Sequence, residues 1–223
     1  FVPPVSPGSR DYLVPNSELG DSRHIYRYPL QVMGEQILVE TPLVGRHQLR
    51  NVALAIAAAE ELNRQGFSSI KAKSIESGIR QTQWAGRFQV IAARAGWPEI
   101  VIDVAHNPAG AWALRSALSE RYADRSLIFV FGAMRDKAIS EMAEILFPLA
   151  DRVIATRPAN PRAASPEEIL QAGARTGVAI DAVEGVEGAV ERARSLASAG
   201  TVVVITGSIY LVGEAMSIVG AEL

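Results

Sequence analysis

Ile100-Val101-Ile102-Asp103-Val104-Ala105-His106-Asn107-Pro108 runs from apolar residues through a polar tip into a helix start. Three successive β-branched residues describe a strand covered on both faces, because a strand with one wet face alternates polar and apolar. Asn107 then offers a capping side chain and Pro108 a residue suited to the first helical turn. Similar runs recur at Leu127 to Phe131, Val153-Ile154, Val178-Ala179-Ile180 and Val202 to Ile205. Between them lie helical stripes: Ala111, Leu114, Leu118, Tyr122; then Ala138, Met142, Ile145, Leu149; then Val186, Val190, Ala193, Ala197. Strands alternating with helices demand right-handed parallel crossovers, so this half is expected to be an α/β, doubly wound, mostly parallel sheet of Rossmann-like form.

Upstream of Trp84-Ala85-Gly86-Arg87 the pattern differs. Residues Phe1 to Gly20 are rich in Pro, Ser and Gly and read as loop or irregular edge structure. From His24 to Pro42, short alternating runs flank Met33-Gly34-Glu35-Gln36, as in a hairpin at an antiparallel edge. An alanine-rich helix is expected from Asn51 to Asn63, ending at Gln65-Gly66, and a shorter one from about Ile70 to Gln81, with Ile75 and Ile79 on one face. The boundary between halves falls between Trp84 and Pro98, giving domains of residues 1–83 and 84–223. No internal repeat is visible.

The 223 residues exceed one typical domain of about 150. With 48% hydrophobic and 21% charged residues and a mean hydropathy of +0.13, the chain has the composition of a folding globular protein. A net charge of −2 gives no electrostatic footprint for nucleic acid or an anionic membrane, so a small-molecule partner is expected. The absence of Cys excludes thiolate metal sites, catalytic thiols and disulfides, and fits a cytoplasmic compartment. No apolar run reaches the roughly 18–20 residues of a membrane span.

In open α/β sheets, ligands bind beyond the carboxyl ends of the strands. The residues found there are Asp103 to Pro108, Gly132-Ala133-Met134-Arg135-Asp136-Lys137, Thr156, Arg157 and Arg162, and Thr206-Gly207-Ser208. Helix-start amides, hydroxyls and guanidinium groups together suit an anionic ligand. Each has a plainer reading as well. Asp103 and Asn107 serve equally as helix caps, His106 as a solvated loop histidine, Arg157 and Arg162 as surface charge, and Ser208 as an N-cap. Arg87, the only charge within Trp84 to Phe88, either bridges the halves or holds a ligand, and Asn51 is a plausible cap of its helix. The chain contains no P-loop, no glycine-rich dinucleotide fingerprint and no nucleophile elbow. His24, His47 and His106 stand in unrelated contexts, so no metal ligands are assigned.

Six blocks in order carry a more specific signal. They are Gly45-Arg46-His47-Gln48-Leu49-Arg50-Asn51-Val52-Ala53-Leu54-Ala55, Trp84-Ala85-Gly86-Arg87-Phe88-Gln89, Asp103 to Pro108, Phe131-Gly132-Ala133, Asn160-Pro161-Arg162-Ala163 and Thr206-Gly207-Ser208-Ile209-Tyr210-Leu211-Val212-Gly213-Glu214. The chain thereby resembles the folylpolyglutamate synthase/dihydrofolate synthase branch of the Mur ligase family.

The resemblance implies residues 1–83 as the C-terminal part of a central ATPase domain, and residues 84–223 as the glutamate-binding, Rossmann-like C-terminal domain. It implies an ATP-dependent ligase that activates a folate carboxylate as an acyl phosphate for attack by glutamate. It places Asn51 on adenine, Arg87 on ATP phosphate and Asp103 on ribose, with His106 and Ser208 near the incoming glutamate. The implied partners are ATP, Mg2+, L-glutamate and dihydropteroate or folate, and the implied state is a monomer.

On the same grounds the P-loop, the metal ligands and most of the pteroate site belong to a preceding part of a longer enzyme. The present chain alone is then expected to be inactive, with no catalytic residue of its own. One departure is Ala138, where the family commonly has Asp after the lysine. Two other readings stand beside this one: a Mur-type amide ligase acting on a peptidoglycan precursor, and a non-catalytic α/β ligand-binding module.

Overall fold

The computed structural model describes residues 13–15 and 24–220. The chain divides into two compact units, Phe1–Trp84 and Ala85–Leu223.

In the first unit, strands β1 (Leu13–Pro15), β2 (His24–Val32) and β3 (Glu35–Thr41) form an antiparallel sheet in that order, with Tyr28 opposite Val39 and Val32 opposite Glu35. The expected hairpin is present. Its two-residue turn, Met33-Gly34, has φ of 53° and 81°, the paired left-handed conformation that matches strand twist. Val32, Ile37 and Val39 point to the core, while Arg27, Pro29 and Gln31 are exposed.

That buried face packs on helices α1 (Arg46–Arg64) and α2 (Ala72–Arg80) through Val52, Ile56, Ala72, Ile75 and Ile79. Helix α1 ends at Gln65 ahead of left-handed Gly66, as its sequence indicates, but it begins five residues earlier than expected, behind Gly45. Asn51 is therefore not a cap. It sits in the second turn, exposed, with its side-chain amide donating to Gln48 Oε1 at 3.0 Å. Of the stretch Phe1–Gly20 expected to be irregular, Leu13–Pro15 is a strand and the remainder lies outside the described residues.

The second unit is a six-stranded sheet with five helices. In chain order these are β4 (Gln89–Ile91), β5 (Glu99–Asp103), α3 (Pro108–Arg121), β6 (Leu127–Phe131), α4 (Ile139–Leu146), β7 (Arg152–Ala155), α5 (Pro166–Gly173), β8 (Ile180–Ala182), α6 (Val186–Leu196), β9 (Val202–Thr206) and α7 (Ile209–Val219). The strand order is β4-β5-β9-β6-β7-β8, parallel throughout except for β4. Helices α6 and α7 cover the face carrying Ile102, Val130, Ile154, Val203 and Ile205. Helices α3, α4 and α5 lie side by side, and their buried side chains, among them Ala111, Leu114, Leu118, Met142 and Ile169, belong to the opposite side of the sheet.

This is the expected doubly wound, mostly parallel α/β fold. Every residue of β6 and β9 is buried, so the continuous apolar runs reflect cover on both faces. One expected strand is displaced: Val178-Ala179-Ile180 gives way to Ile180–Ala182. Left-handed Gly177 precedes the displaced segment, and Val153 donates to Ala179 O before the ladder proper begins. Because β9 returns last, between β5 and β6, the winding reverses there and opens a crevice at the carboxyl ends of these strands.

Candidate functional site

The crevice contains a cavity of about 250 Å³ lined by Arg87, Val104, His106, Met134, Asp136, Lys137, Arg162, Gly207, Ser208, Ile209 and Tyr210. The linings come from the ends of β5, β6 and β9, the loop after β7, and the segment before β4. Residues singled out only because they follow apolar runs thus meet in one place, all within the second unit. Thr156 and Arg157 do not join them. Thr156 is fully buried, and Arg157 pairs with Glu184 at 3.5 Å.

Two helices begin beside the cavity. Asn107 caps α3, its Oδ1 accepting from Gly110 N at 2.8 Å, with Pro108 in the first turn. Its other side-chain atom lies 3.4 Å from His106 Nε2, while His106 Nδ1 lies 3.0 Å from Val104 O. A carbonyl only accepts, so Nδ1 carries the proton and Nε2 accepts from Asn107; the network assigns this tautomer. Ser208 caps α7, accepting from Tyr210 N at 3.2 Å, and is nearly buried while lining the cavity. Ser208 is thus the cap its sequence suggests, and its side chain also lines the cavity. Gly207 lets the backbone pass close to Gly132, since a Cβ there would stand 2.7 Å from Gly132 O, and its φ of 112° favours glycine.

Asp103 ends β5. Its Oδ1 accepts from Ala105 N at 2.8 Å and its Oδ2 from Phe88 N at 2.9 Å. Burial raises its pKa above the usual carboxylate range. The two amide bonds, Arg87 and His106 act in the opposite direction. Gly86 O in turn accepts from Val104 N at 2.8 Å. Arg87 is thus carried on a segment bonded to the tip of β5 on both sides.

The loops after β6 and β7 pair with each other through an Arg135 N to Arg162 O bond of 2.9 Å and an Ala164 N to Ala133 O bond of 2.9 Å. Arg135 reaches outward, and both oxygens of Glu168 accept from its Nε at 3.0 and 3.1 Å. Lys137 and Arg162 line the cavity, with Asp136 3.1 Å from Lys137 and its pKa lowered chiefly by that lysine. Among the described residues, the cavity wall therefore carries three cationic side chains, Arg87, Lys137 and Arg162, against the one carboxylate of Asp136. With two helix N-termini adjoining, it suits a polyanion.

Of the residues proposed from sequence, Arg87, His106 and Ser208 line this cavity, and Asp103 stands directly behind it. Asn51 belongs to the first unit. The sequence reading named Lys137 and Arg162 among the residues beyond the strand ends but gave neither a ligand role; both line the cavity. Phe88 was not singled out, and it has a left-handed backbone at φ 46°. Among the described residues no group of three or more His, Asp or Glu side chains is placed to hold a metal ion.

Comparison with known proteins adds the following. The family model for the Mur ligase glutamate ligase domain matches residues 86–209. A probable bifunctional folylpolyglutamate synthase/dihydropteroate synthase of Halobacterium salinarum is 36% identical over 183 residues, which is 80% of this chain and 21% of that protein. The structure of Mycobacterium tuberculosis folylpolyglutamate synthase complexed with ADP superposes with a TM-score of 0.71 at 27% identity, covering 87% of this chain and 47% of that one. The bifunctional folylpolyglutamate synthase/dihydrofolate synthase of Yersinia pestis, complexed with AMPPNP and Mn, gives 0.68 at 25% identity over 84% and 42%. The chain thus spans about a fifth to a half of the length of these relatives.

Proposed function

The chain belongs to the Mur ligase family, and from that premise we propose that it is the C-terminal part of an ATP-dependent folate ligase adding glutamate to dihydropteroate or folylpolyglutamate. The observation that carries this reading is the cavity wall with its three cations, one carboxylate and two adjoining helix N-termini, which fits a phosphate- and carboxylate-bearing ligand.

In the proposed reaction a folate carboxylate oxygen attacks the γ-phosphorus of ATP, forming an acyl phosphate and releasing ADP. The glutamate amine then attacks the acyl carbon, phosphate leaves, and an amide remains. Such steps need orientation and charge neutralisation more than covalent help from the protein. Arg87 offers paired donors to phosphate oxygens, and Lys137 and Arg162 add positive charge. Asp103 spends one lone pair per oxygen on backbone amides, leaving acceptor capacity on each for ribose hydroxyls. Asn51 supplies an amide suited to the adenine edge. His106 and Ser208, the latter through its hydroxyl proton, face the incoming glutamate.

Magnesium would screen the phosphates. Its ligands are assigned to a preceding segment carrying the P-loop, and no step here is routed through it. The same reading makes residues 1–83 the end of the central ATPase domain and residues 84–223 the glutamate-binding domain, in a cytoplasmic monomer without nucleic-acid or membrane partners. In the structure, no helix among the described residues is long and apolar enough to cross a membrane.

The test is an amide-forming assay of the longest reading frame containing this chain, with ATP and glutamate and with dihydropteroate, folate or a UDP-linked peptide precursor as acceptor. Turnover on the pteridine acceptors is expected, with Arg87→Ala lowering kcat/KM by roughly 10²-fold. Turnover on the UDP-linked acceptor alone supports the peptidoglycan reading, and no turnover on any acceptor supports a binding module. Calorimetry of the 223-residue chain should show at most weak ATP binding. Tight, magnesium-dependent binding by this chain alone would contradict the assignment of the P-loop and metal ligands to a separate segment.

A further inference from the structure

The turn that presents Arg87 contains a conformation its sequence does not favour. Gly86 has φ 69°, which glycine accepts, but Phe88 has φ 46°, where a bulky side chain crowds its own backbone. A glycine would adopt that angle freely and leave it as freely. The residue present is instead an aromatic that is 95% buried, with its ring stacked on Tyr122 at 6.5 Å between centroids and 20° between planes. Tyr122 is itself buried, and its hydroxyl donates to Glu99 at the start of β5.

Three hydrogen bonds complete the turn. Phe88 N donates to Asp103 Oδ2, Val104 N to Gly86 O, and Gly86 N to Gln89 Oε1 at 3.0 Å. These bonds hold residues 86, 88 and 89, and the Arg87 side chain carried between them lines the cavity wall.

We propose that Phe88 is a positioning residue for Arg87, its ring anchored against Tyr122 and its left-handed backbone holding the turn that delivers the guanidinium to the cavity. Asp103 is then the second anchor of the same turn, through the Phe88 amide. The inference rests on the reading of Arg87 as a ligand-contacting group, and its test separates the two.

The readout that a merely structural Phe88 would not move is the order of the Arg87 Nε–H bond, measured by 15N relaxation in the unliganded 223-residue chain. It is paired with the affinity for inorganic tripolyphosphate, followed by chemical-shift titration. Phe88→Gly keeps the permitted backbone angle but removes the anchor. It should disorder the Arg87 side chain and weaken tripolyphosphate binding about tenfold, and Arg87→Ala should weaken it by as much, with the double variant no worse than Arg87→Ala. Phe88→Tyr, which keeps the ring, should restore both. Should Phe88→Gly fail to fold, Phe88→Leu fills most of the volume without stacking, and an intermediate loss of Arg87 order is expected. Unchanged Arg87 order in a folded Phe88→Gly or Phe88→Leu variant, or additive losses in the double variant, overturns the proposal. Arg87 order lost in Phe88→Gly while Arg87→Ala leaves tripolyphosphate binding unchanged supports the positioning role and overturns the ligand role of Arg87.

Discussion

Strands β3 and β6 are of similar length but meet solvent on different terms. In β3, Ile37, Val39 and Thr41 are buried while the residues between them are partly open; in β6 all five residues, Leu127 to Phe131, are buried. The first belongs to an antiparallel sheet with helices on one face, the second to a parallel sheet with helices on both. The difference shows where each unit keeps its chemistry. A sheet sealed on both faces has only its strand ends left to offer a ligand, and the lining of the cavity comes almost wholly from such ends. A sheet with one open face is not restricted in this way.

Truncating each core gives the largest contrast. Phe129→Ala, at a fully buried position in the middle of β6, should cost about 3–5 kcal/mol, whereas Ile37→Val in β3 should cost about 0.5–1.5. Native-state hydrogen exchange would read both, with the β9 amides accelerating in the first variant and the β2 amides in the second. Equal acceleration everywhere would erase the distinction between the units.

Glycines sharpen the same comparison at the next level. Gly207→Ala places a Cβ 2.7 Å from Gly132 O at φ 112°, whereas Gly34→Ala meets nothing within 4 Å at φ 81°. Backbone strain of roughly 1–3 kcal/mol applies to both, but only Gly207→Ala adds a backbone clash. Its melting temperature should fall further, and the cross-peaks of Ser208 and Tyr210 should shift.

Helix caps come third. Ser165 caps α5, and Glu168 completes the reciprocal box, whereas α1 starts at Gly45 with no side-chain cap. Ser165→Ala should therefore cost about 1 kcal/mol in thermal or denaturant unfolding, while Gly45, whose carbonyl accepts from Gln48 N, has no side-chain cap to lose.

The smallest effect is a pH dependence confined to the second unit. Burial raises the Asp103 pKa above its ordinary 3.8, so the acid form is the one folding favours. The stability Asp103 contributes is fully present below about pH 3.8 and declines as pH rises through the higher folded value. The stability of the native chain minus that of Asp103→Asn should therefore fall with rising pH across that window. A difference that rises instead would mean that the amides and Arg87 outweigh burial.

Much of this was legible in the sequence because local pattern and tertiary role coincide. The runs at Leu127 to Phe131 and Val202 to Ile205 need cover on both faces, and Asn107-Pro108 and Ser208 mark helix starts whatever surrounds them. The losses have physical causes. Helix α1 was expected to start late because Gly45 gives no side-chain capping signal. The strand at Ile180–Ala182 was placed early because edge positions carry weaker apolar pattern than central ones. Lys137 and Arg162 were marked by their places after strand ends, but that they share one wall follows from the pairing of two loops distant in sequence. The left-handed Phe88 runs against the propensity of its own residue type, so only its tertiary anchors account for it.

The rims of both sheets have a further consequence. Strands β4 and β8, which bound the six-stranded sheet, are three residues each. In the first unit, the seven-residue β3 lies at one side of the described sheet, and there Leu38 N donates at 3.3 Å to Glu76, a carboxylate from α2. Short borders and an occupied amide leave little template on which a neighbouring molecule could extend a ladder. Among the described residues, the six-stranded sheet thereby guards itself against fibrillar self-association at high local concentration.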